Sequence, residues 1–359
     1  MNMKNYYETY KGHYKALFLL GLPIVIGQVG VIILGFADTL MIGHHSTSEL
    51  GAASFVNNVF NLAIIFSTGF SYGLTPVVGS LYGNKQFAPV GQALRCSLLA
   101  NLLVGLLLTL IMGILYLNVE RLGQPEELLP LIKPYYIVLL ISLVFVLLFN
   151  GFKQFTDGIT DTKTAMWILL GGNVLNIIGN YILINGKFGF PELGVVGAAV
   201  ATVLSRYVEM AIVLVWTHKH KEINTYIVGL YKTMEIPGYL IKKFIIKGSP
   251  LLFNETLWAA AQATLMQCYS VRGLSVVAAF NIANTIANLF NVVFIALGDS
   301  VAIVVGQKLG AGKMDEARDL DNKMIAFSVM CCTGVAIVMF LIAPLFPRLY
   351  NTETSTLPT

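Results

Sequence analysis

Val77-Val78-Gly79-Ser80-Leu81-Tyr82-Gly83 recurs 227 residues later as Val304-Val305-Gly306-Gln307-Lys308-Leu309-Gly310. Self-similarity at a fixed offset indicates a repeated structural unit. The last residue, Thr359, corresponds to Ile132 of the first copy, so we expect one complete copy and roughly half of another. The same offset holds elsewhere without a gap. Gly21 and Pro23 recur as Gly248 and Pro250. Asn57, Asn61 and Leu62 recur as Asn284, Asn288 and Leu289.

The chain is strongly apolar, with 56% hydrophobic residues, 12% charged residues and a mean hydropathy of +0.73. A helix needs about 20 apolar residues to cross a bilayer, and backbone groups inside lipid must be satisfied within a helix. We therefore predict an all-α polytopic membrane protein with about nine transmembrane helices: one complete six-helix lobe plus the first three helices of a parallel-repeat second lobe. The nine predicted spans lie near residues 16–42, 50–82, 93–117, 134–153, 164–184, 194–216, 241–269, 275–307 and 324–346.

The positive charges are distributed unevenly along the chain. The amino terminus and the loops after spans 2, 4, 6 and 8 carry 17 of the 23 Lys and Arg residues, and the opposite side carries five. Because cytoplasmic loops are enriched in Lys and Arg, we expect the amino terminus to lie in the cytoplasm. After nine spans, the carboxyl-terminal end of these 359 residues is then expected on the outer side of the membrane. This bias accounts for the net charge of +4 without a nucleic-acid partner.

The repeat also predicts the domain organisation. Residues 1–217 form an amino-terminal six-helix lobe, 218–240 a cytoplasmic linker, and 241–359 an incomplete carboxy-terminal lobe. Six helices per copy make the two copies parallel repeats, an arrangement found in secondary transporters whose sites lie near the midplane between the halves. Pro23 and Pro250 are candidate helix hinges, because a proline removes a backbone hydrogen bond and clashes with the preceding turn.

Two acidic residues lie within predicted spans. A charge at the centre of a transmembrane helix costs about 2.5–3.5 kcal/mol on insertion scales, so it usually serves a function. Glu255 lies five residues after Pro250, where carbonyls freed by the proline and a carboxylate could take up a proton or bind Na⁺. Asp38 lies towards the outer end of span 1 and is a second candidate ligand for Na⁺ or H⁺. The two are not equivalent in the repeat, since Glu255 corresponds to Gln28 and Asp38 to Leu265.

Asparagines recur at helical spacing on two spans. Residues three and four apart share one helix face, so Asn173, Asn176 and Asn180 form one polar stripe on span 5. Asn176 and Asn180 could share a site with Asp38 and with Thr202 of span 6. The stripe on span 8, which includes the candidate cavity-lining residues Asn284 and Asn288, indicates either interhelical hydrogen bonding or a water-lined cavity.

The remaining polar residues, apart from Asp299, are interpreted as structural. The four cysteines lack metal or redox spacing, and His44 and His45 are expected to be solvated. Arg206 and Glu209 could pair on one face of span 6, and the role of Asp299 is left open between a gate and helix packing.

These residues make the chain resemble the multidrug and toxic compound extrusion (MATE) family of cation-coupled efflux transporters. The resemblance rests on Gly35-Phe36-Ala37-Asp38-Thr39-Leu40-Met41-Ile42-Gly43, and on Pro250 followed by Glu255. Further support comes from Asn176-Ile177-Ile178-Gly179-Asn180, Gly194-Val195-Val196-Gly197-Ala198-Ala199 and Ser205-Arg206.

The resemblance implies twelve helices in two lobes around a cleft that opens to alternate sides of the membrane. It also implies that Asp38, Asn176, Asn180 and Thr202 form the amino-lobe cation site, and that Glu255 is the carboxy-lobe acid. Many relatives carry Asp where this chain has Asn180, which argues against a proton relay in that lobe. The carboxylate on helix 10 that partners the helix 7 acid in such relatives would fall beyond Thr359.

The resulting functional hypothesis is a bacterial inner-membrane antiporter that exports small organic cations or toxic amphiphiles in exchange for Na⁺ or H⁺. No cofactor besides that ion is expected. Its partners are these substrates and membrane lipid, and we expect a monomer. A lipid-linked oligosaccharide flippase is an alternative, although it requires a basic cavity and only Arg206 lies inside a span. A membrane enzyme is disfavoured because no catalytic cluster is evident. A further alternative is that these 359 residues are an inactive truncated form, because three helices cannot close a lobe.

Overall fold

A computed structural model describes residues 3–122, 124–227, 237–272 and 274–343. Parts of two predicted regions lie outside this range: residues 228–236 of the linker and residues 344–359 of the second lobe. The described residues form α1 (Met3–His45), α2 (Thr47–Ser71), α3 (Leu74–Gly83), α4 (Phe87–Leu117), α5 (Leu129–Gly158), α6 (Thr162–Ile184), α7 (Val195–Lys219), α8 (Lys221–Ile227), α9 (Gly238–Ser270), α10 (Leu274–Gly310) and α11 (Met314–Ile342), with short 3₁₀ turns at Val119–Leu122, Glu126–Leu128 and Lys187–Gly189.

The predicted all-α membrane architecture is confirmed. Eight helical segments within the described residues are long and apolar enough to cross a bilayer. The seventh predicted span is also a continuous helix, α9, but it is not one of the eight. Polar residues such as Asn254, Glu255 and Gln262 lower its hydropathy.

The second predicted span is divided into α2 and α3 by a turn at Tyr72 and Gly73. Pro76 has no backbone N–H to donate to the carbonyl of Tyr72, so the helical hydrogen-bond ladder is interrupted there. In the second copy, Ile303 stands at the position of Pro76, and α10 runs through without a break.

The first copy contains two buried apolar clusters. One joins α3, α4 and α5 with the linker helix α8 and the start of α9, and Phe155 and Leu94 are fully buried in it. The other joins α2, α5 and α7, and Tyr136 is fully buried at its centre, where its hydroxyl donates to the Met112 carbonyl at 2.9 Å.

The two copies meet through a reciprocal set of helix contacts. Helix α1 packs against α10, α9 packs against α2, and α3 packs against α10. Because α1 corresponds to α9 and the α2–α3 segment to α10 under the repeat, the first two contacts are equivalents of each other. Self-complementary contacts of this kind are the mark of a two-fold interface. The repeat read from the sequence therefore also describes how the two copies pack.

The segment between the copies is more structured than a simple linker. Helix α7 continues to Lys219, α8 follows within the linker, and α9 begins at Gly238. Helix α8 packs against α4 and α7, so it lies against the first copy rather than extending away from it.

Candidate functional site

Helices α1, α6 and α7 bring four of the predicted site residues together. The Asn180 amide donates to an oxygen of the Asp38 carboxylate at 2.6 Å and to the Asn176 amide oxygen at 2.9 Å. The Asn176 amide donates to the Thr202 hydroxyl at 3.1 Å. We call Asp38, Asn176, Asn180 and Thr202 the Asp38 cluster.

The close approach of α6 to α7 makes this cluster possible. A Cβ atom on Gly179 would lie 2.9 Å from the Cβ atom of Ala201, so only glycine allows this spacing without displacing the neighbour. Asn176 and Asn180 stand on the same face of α6 and are buried, with exposures of 1% and 0%. Asp38 and Thr202 are half-buried at the edge of the cluster.

The chemistry of the cluster suits a small hard cation. Carboxylate, amide and hydroxyl oxygens are the ligands that such cations prefer. The Oδ1 atom of Asn180 is buried and has no hydrogen-bond partner among the described residues. An unsatisfied buried acceptor beside a carboxylate is costly unless a donor or cation completes it, so these residues fit Na⁺ or a proton on Asp38.

Glu255 lies in a different environment. It is half-buried on α9, and its Cβ and Cγ atoms pack against Gly69 of α2, where an added Cβ would be 2.9 Å from Cγ. It also interacts electrostatically with Tyr72 and Asp299. The two predicted acids therefore face different partners, in agreement with their inequivalence in the repeat.

A buried ion pair on α5 was missed by the sequence analysis. The Lys153 ammonium donates to the Asp157 carboxylate at 2.8 Å, with side-chain exposures of 13% and 5%. The predicted span 4 ends at Lys153, and this boundary is wrong because α5 continues to Gly158. Their spacing of four residues was the available signal, since it places opposite charges on one helix face.

The same region links both copies electrostatically. Asp299 of α10 is half-buried and interacts with Lys153 and Asp157 as well as with Glu255. Asp299 and Tyr72 are equivalent positions of the repeat, and they also interact with each other. This proximity indicates that Asp299 belongs to the contact between the copies.

The other predicted site residues occupy less specific surroundings. Pro23 and Pro250 lie inside the continuous helices α1 and α9, and Pro23 lines a small cavity beside Lys153 and Asp157. Asn284 and Asn288 are half-buried on α10. The hinge role of the two prolines and the cavity-lining role of the two asparagines stay predictions.

His45 is not a solvated side chain, contrary to the expectation. Its Nδ1 atom lies 2.7 Å from a Glu49 carboxylate oxygen and its Nε2 atom 2.9 Å from a Glu192 oxygen. Glu49 could have been found from its position one helical turn after His45, whereas Glu192 is distant in sequence. In the described part of the chain, no group of three or more His, Cys, Asp or Glu residues is arranged to hold a metal ion.

Comparison with known proteins identifies the family of this chain. A model of the MatE family matches residues 23–182 and 250–359. The multidrug resistance protein NorM of Vibrio cholerae is 30% identical over 335 residues, which cover 92% of this chain and 70% of NorM. The multidrug resistance protein MdtK of Pectobacterium atrosepticum is 29% identical over 355 residues, which cover 96% of this chain and 76% of MdtK.

A solved structure has the same fold. A multidrug resistance MATE family transporter of the MOP superfamily, in an outward-facing conformation, superposes with a TM-score of 0.85 at 22% identity, over 95% of this chain and 75% of that one. The family match covers most of the sequence, and the helices are those of a multi-pass membrane protein. The chain belongs to the MATE family, whose members are membrane transporters and not enzymes.

Proposed function

We propose that this chain acts in secondary active antiport, exporting organic cations or toxic amphiphiles in exchange for inward Na⁺ or H⁺. The observation that carries this proposal is the Asp38 cluster, in which a half-buried carboxylate adjoins the unpartnered Asn180 oxygen. The relatives MdtK and NorM are both named multidrug resistance proteins, which supports small drug-like substrates.

The proposed arrangement is two parallel lobes, residues 1–217 and 241–359, joined by the linker 218–240. The reciprocal contacts of α1 with α10 and of α9 with α2 support this division. The bias of Lys and Arg supports a cytoplasmic amino terminus in a bacterial inner membrane. The chain is proposed to act as a monomer.

Coupling follows from competition for one conformational equilibrium. A cation on Asp38 or Glu255 stabilises one arrangement of the lobes, and substrate stabilises the other. Neither ligand needs to touch the other, because each shifts the equilibrium by its difference in affinity for the two arrangements.

A lipid-linked oligosaccharide flippase is the alternative. A pyrophosphate would need several unpaired Arg or Lys side chains inside the protein. Two basic residues lie at the polar sites described above: Arg206 near the Asp38 cluster and Lys153 on α5. Both are paired with carboxylates, Glu209 and Asp157. This observation favours the antiporter.

The test is efflux of ethidium, an organic cation, from proteoliposomes that contain the chain. A Na⁺ gradient at equal pH and a pH gradient without Na⁺ are imposed separately. Asp38→Asn and Glu255→Gln are expected to abolish the ion-driven component, while Asp315→Asn, in the exposed first turn of α11, leaves it unchanged. Ion-driven efflux that survives both substitutions would overturn the proposal, and absence of efflux by the unmodified chain would favour the inactive form.

A further inference from the structure

Helix α7 holds a buried carboxylate that the Asp38 cluster does not use. Glu209 is 2% exposed, and Arg206 donates to its Oε2 atom at 3.1 Å. Its other oxygen occupies a space made by Gly172 of α6, where an added Cβ atom would lie 2.0 Å from Oε1. Since a carboxylate inside a protein is costly unless it is paired, Glu209 depends on Arg206.

A line of polar contacts joins this carboxylate to the Asp38 cluster. The Asn176 amide that contacts Thr202 also donates to the Ser205 hydroxyl at 3.4 Å. Thr202 of the cluster, Arg206 and Glu209 follow one another at spacings of four and three on α7, so they share one helix face. Arg206 is also within range of a Coulombic attraction to Asp38. Arg206 therefore lies between two acids, Glu209 on its own helix and Asp38 on α1.

The region also contains an unsatisfied polar group. Both amide atoms of Asn173, the neighbour of Gly172, are buried and have no hydrogen-bond partner among the described residues, and the side chain is 5% exposed. Buried polar atoms usually find a partner in at least one state of a protein. The Asn173 amide faces α1, where an added Cβ atom on Gly30 would lie 3.0 Å from its Nδ2 atom, so an unused polar group is present on the side of α6 that faces the helix of Asp38.

The charges of this region balance with one added cation. Asp38 and Glu209 contribute two negative charges when ionised, and Arg206, which stays protonated in proteins, contributes one positive charge. The remaining charge of −1 is neutralised by one Na⁺ or one proton. Tyr135 of α5 also interacts with Asp38, and its hydroxyl donates to Asn57 at 3.1 Å.

We propose that Arg206 is a tethered competitor of the coupling cation, shared between Asp38 and Glu209, and that Glu209 is a positioning residue of the amino-terminal ion site. When the cation leaves Asp38, Arg206 supplies the replacing charge. When the cation binds, Arg206 is repelled and is held by Glu209. Sharing Arg206 limits the uncompensated charge of the cation-free state to −1 instead of −2, inside the membrane where each such charge is costly. This inference rests on the proposed function of Asp38 as an ion ligand.

The experiment is thermal unfolding of the purified chain in detergent as a function of ion concentration. A ligand that binds only the folded state stabilises it by mass action, so the midpoint of the response reports its affinity. NaCl is titrated at fixed pH against KCl as the ionic-strength control, and pH is titrated separately without Na⁺. The response that Asp38→Asn removes is the signal.

Substitutions at the two members of the ion pair, Arg206 and Glu209, should shift this signal in opposite directions. Arg206→Gln removes the competitor, so half-saturation is expected at a concentration at least about fivefold lower, as for a typical coupling energy. Glu209→Gln releases Arg206 towards Asp38, so half-saturation is expected at least about fivefold higher. Arg206→Lys keeps the charge and should stay within about twofold of the unmodified chain.

Each outcome decides the inference. A merely structural ion pair would lower the melting temperature of both variants and move both midpoints in one direction or neither, and this would overturn the inference while leaving the role of Asp38 intact. A signal absent from the unmodified chain would overturn the proposed ion site and the inference together. If Arg206→Gln does not fold, Glu209→Gln alone decides, because an ion pair without influence on the site predicts an unchanged midpoint and the competitor role predicts a midpoint at a higher ion concentration.

Discussion

Gly83 lies directly against the backbone of Gln307: a Cβ atom on Gly83 would be 2.0 Å from the Gln307 carbonyl oxygen. The equivalent contact of the repeat is present as well, since a Cβ atom on Gly310 would be 1.9 Å from the carbonyl oxygen of Ser80. Gly83 corresponds to Gly310 and Ser80 to Gln307. The ends of α3 and α10 therefore cross through two symmetric contacts that only glycine permits.

This crossing predicts the effect of alanine at either glycine. Gly83→Ala and Gly310→Ala place a Cβ atom into backbone rather than into a flexible side chain, so the helices must separate. We expect each to destabilise the fold by about 1–3 kcal/mol, the usual cost of overpacking. Thermal unfolding in detergent, followed by circular dichroism, measures the change.

Gly306→Ala is the matched control, since it lies one turn away on α10 and no atom lies within 4 Å of its added Cβ. Alanine favours a helix over glycine by roughly 1 kcal/mol, so this variant should be as stable as the unmodified chain or more so. Equal stability of all three variants would show that the crossing is not tight in the membrane protein as purified.

A second prediction concerns the amide beside Asp38. Asn180→Asp places a second carboxylate where the Asn180 amide now lies 2.6 Å from Asp38, and two such groups cannot both stay ionised. Near neutral pH the folded variant should therefore hold a proton that the unfolded chain does not bind. Its free energy of unfolding then rises as the pH falls.

The measurement is the melting temperature at pH 8 and pH 6 without Na⁺. The expected result is a larger gain on acidification for Asn180→Asp than for the unmodified chain. Asn185→Asp, at the end of the same helix, is the control because Asn185 bonds only locally, to the Tyr181 carbonyl at 3.1 Å. Identical gains for both variants would contradict the prediction.

A third prediction tests the buried pair on α5. Lys153→Met leaves Asp157 buried without its cation, beside Asp299. Breaking a buried ion pair costs about 3–5 kcal/mol, whereas replacing both partners with apolar groups is often neutral. We expect Lys153→Met to unfold at a much lower temperature, and Lys153→Met combined with Asp157→Leu to recover most of the loss.

Lys133→Met provides the comparison, because Lys133 pairs with Glu120 at the surface. Exposed pairs contribute little, so no measurable change is expected. A double variant at Lys153 and Asp157 that is no more stable than the single one would show that Asp157 has another essential partner.

The fourth prediction concerns Pro250, which leaves the carbonyl of Ile246 without its helical donor. Pro250→Ala restores that hydrogen bond, so backbone amides in this turn of α9 should exchange with deuterium more slowly. Pro130→Ala, in the first turn of α5, should change exchange less, since the first four N–H groups of a helix lack internal acceptors in any case. Unchanged exchange in Pro250→Ala would remove the case for a hinge.

Several features could be predicted from local sequence alone. The lengths of the apolar stretches predict the helices because lipid offers no other partner for the backbone. The spacing of Asn176 and Asn180 predicts one polar face on α6, and the offset between Gly21 and Gly248 predicts two equivalent copies. These are properties of the chain's order and composition, and they need no knowledge of the neighbours.

The pairings could not be predicted in the same way. Arg206 and Glu209 are a turn apart, which suggests a pair, but the burial of Glu209 depends on Gly172 of another helix. The expectation of a solvated His45 was wrong because Glu192, its second partner, lies 147 residues away. The predicted end of span 4 at Lys153 was wrong because hydropathy falls there, although α5 continues for five more residues to Gly158.

By itself, the order of residues determined that this chain is a two-copy helical membrane protein with Asp38 and Glu255 as inequivalent acids. Hydropathy, repeat spacing and charge bias carry that information directly. Only the tertiary structure decided that the Asn180 amide bonds the Asp38 carboxylate directly, that Glu209 is buried against Gly172, and that the copies cross at Gly83 and Gly310. The reason is physical: a side chain's charge and hydrogen bonds depend on which helix face packs against it, and helix packing is set by contacts distant in sequence.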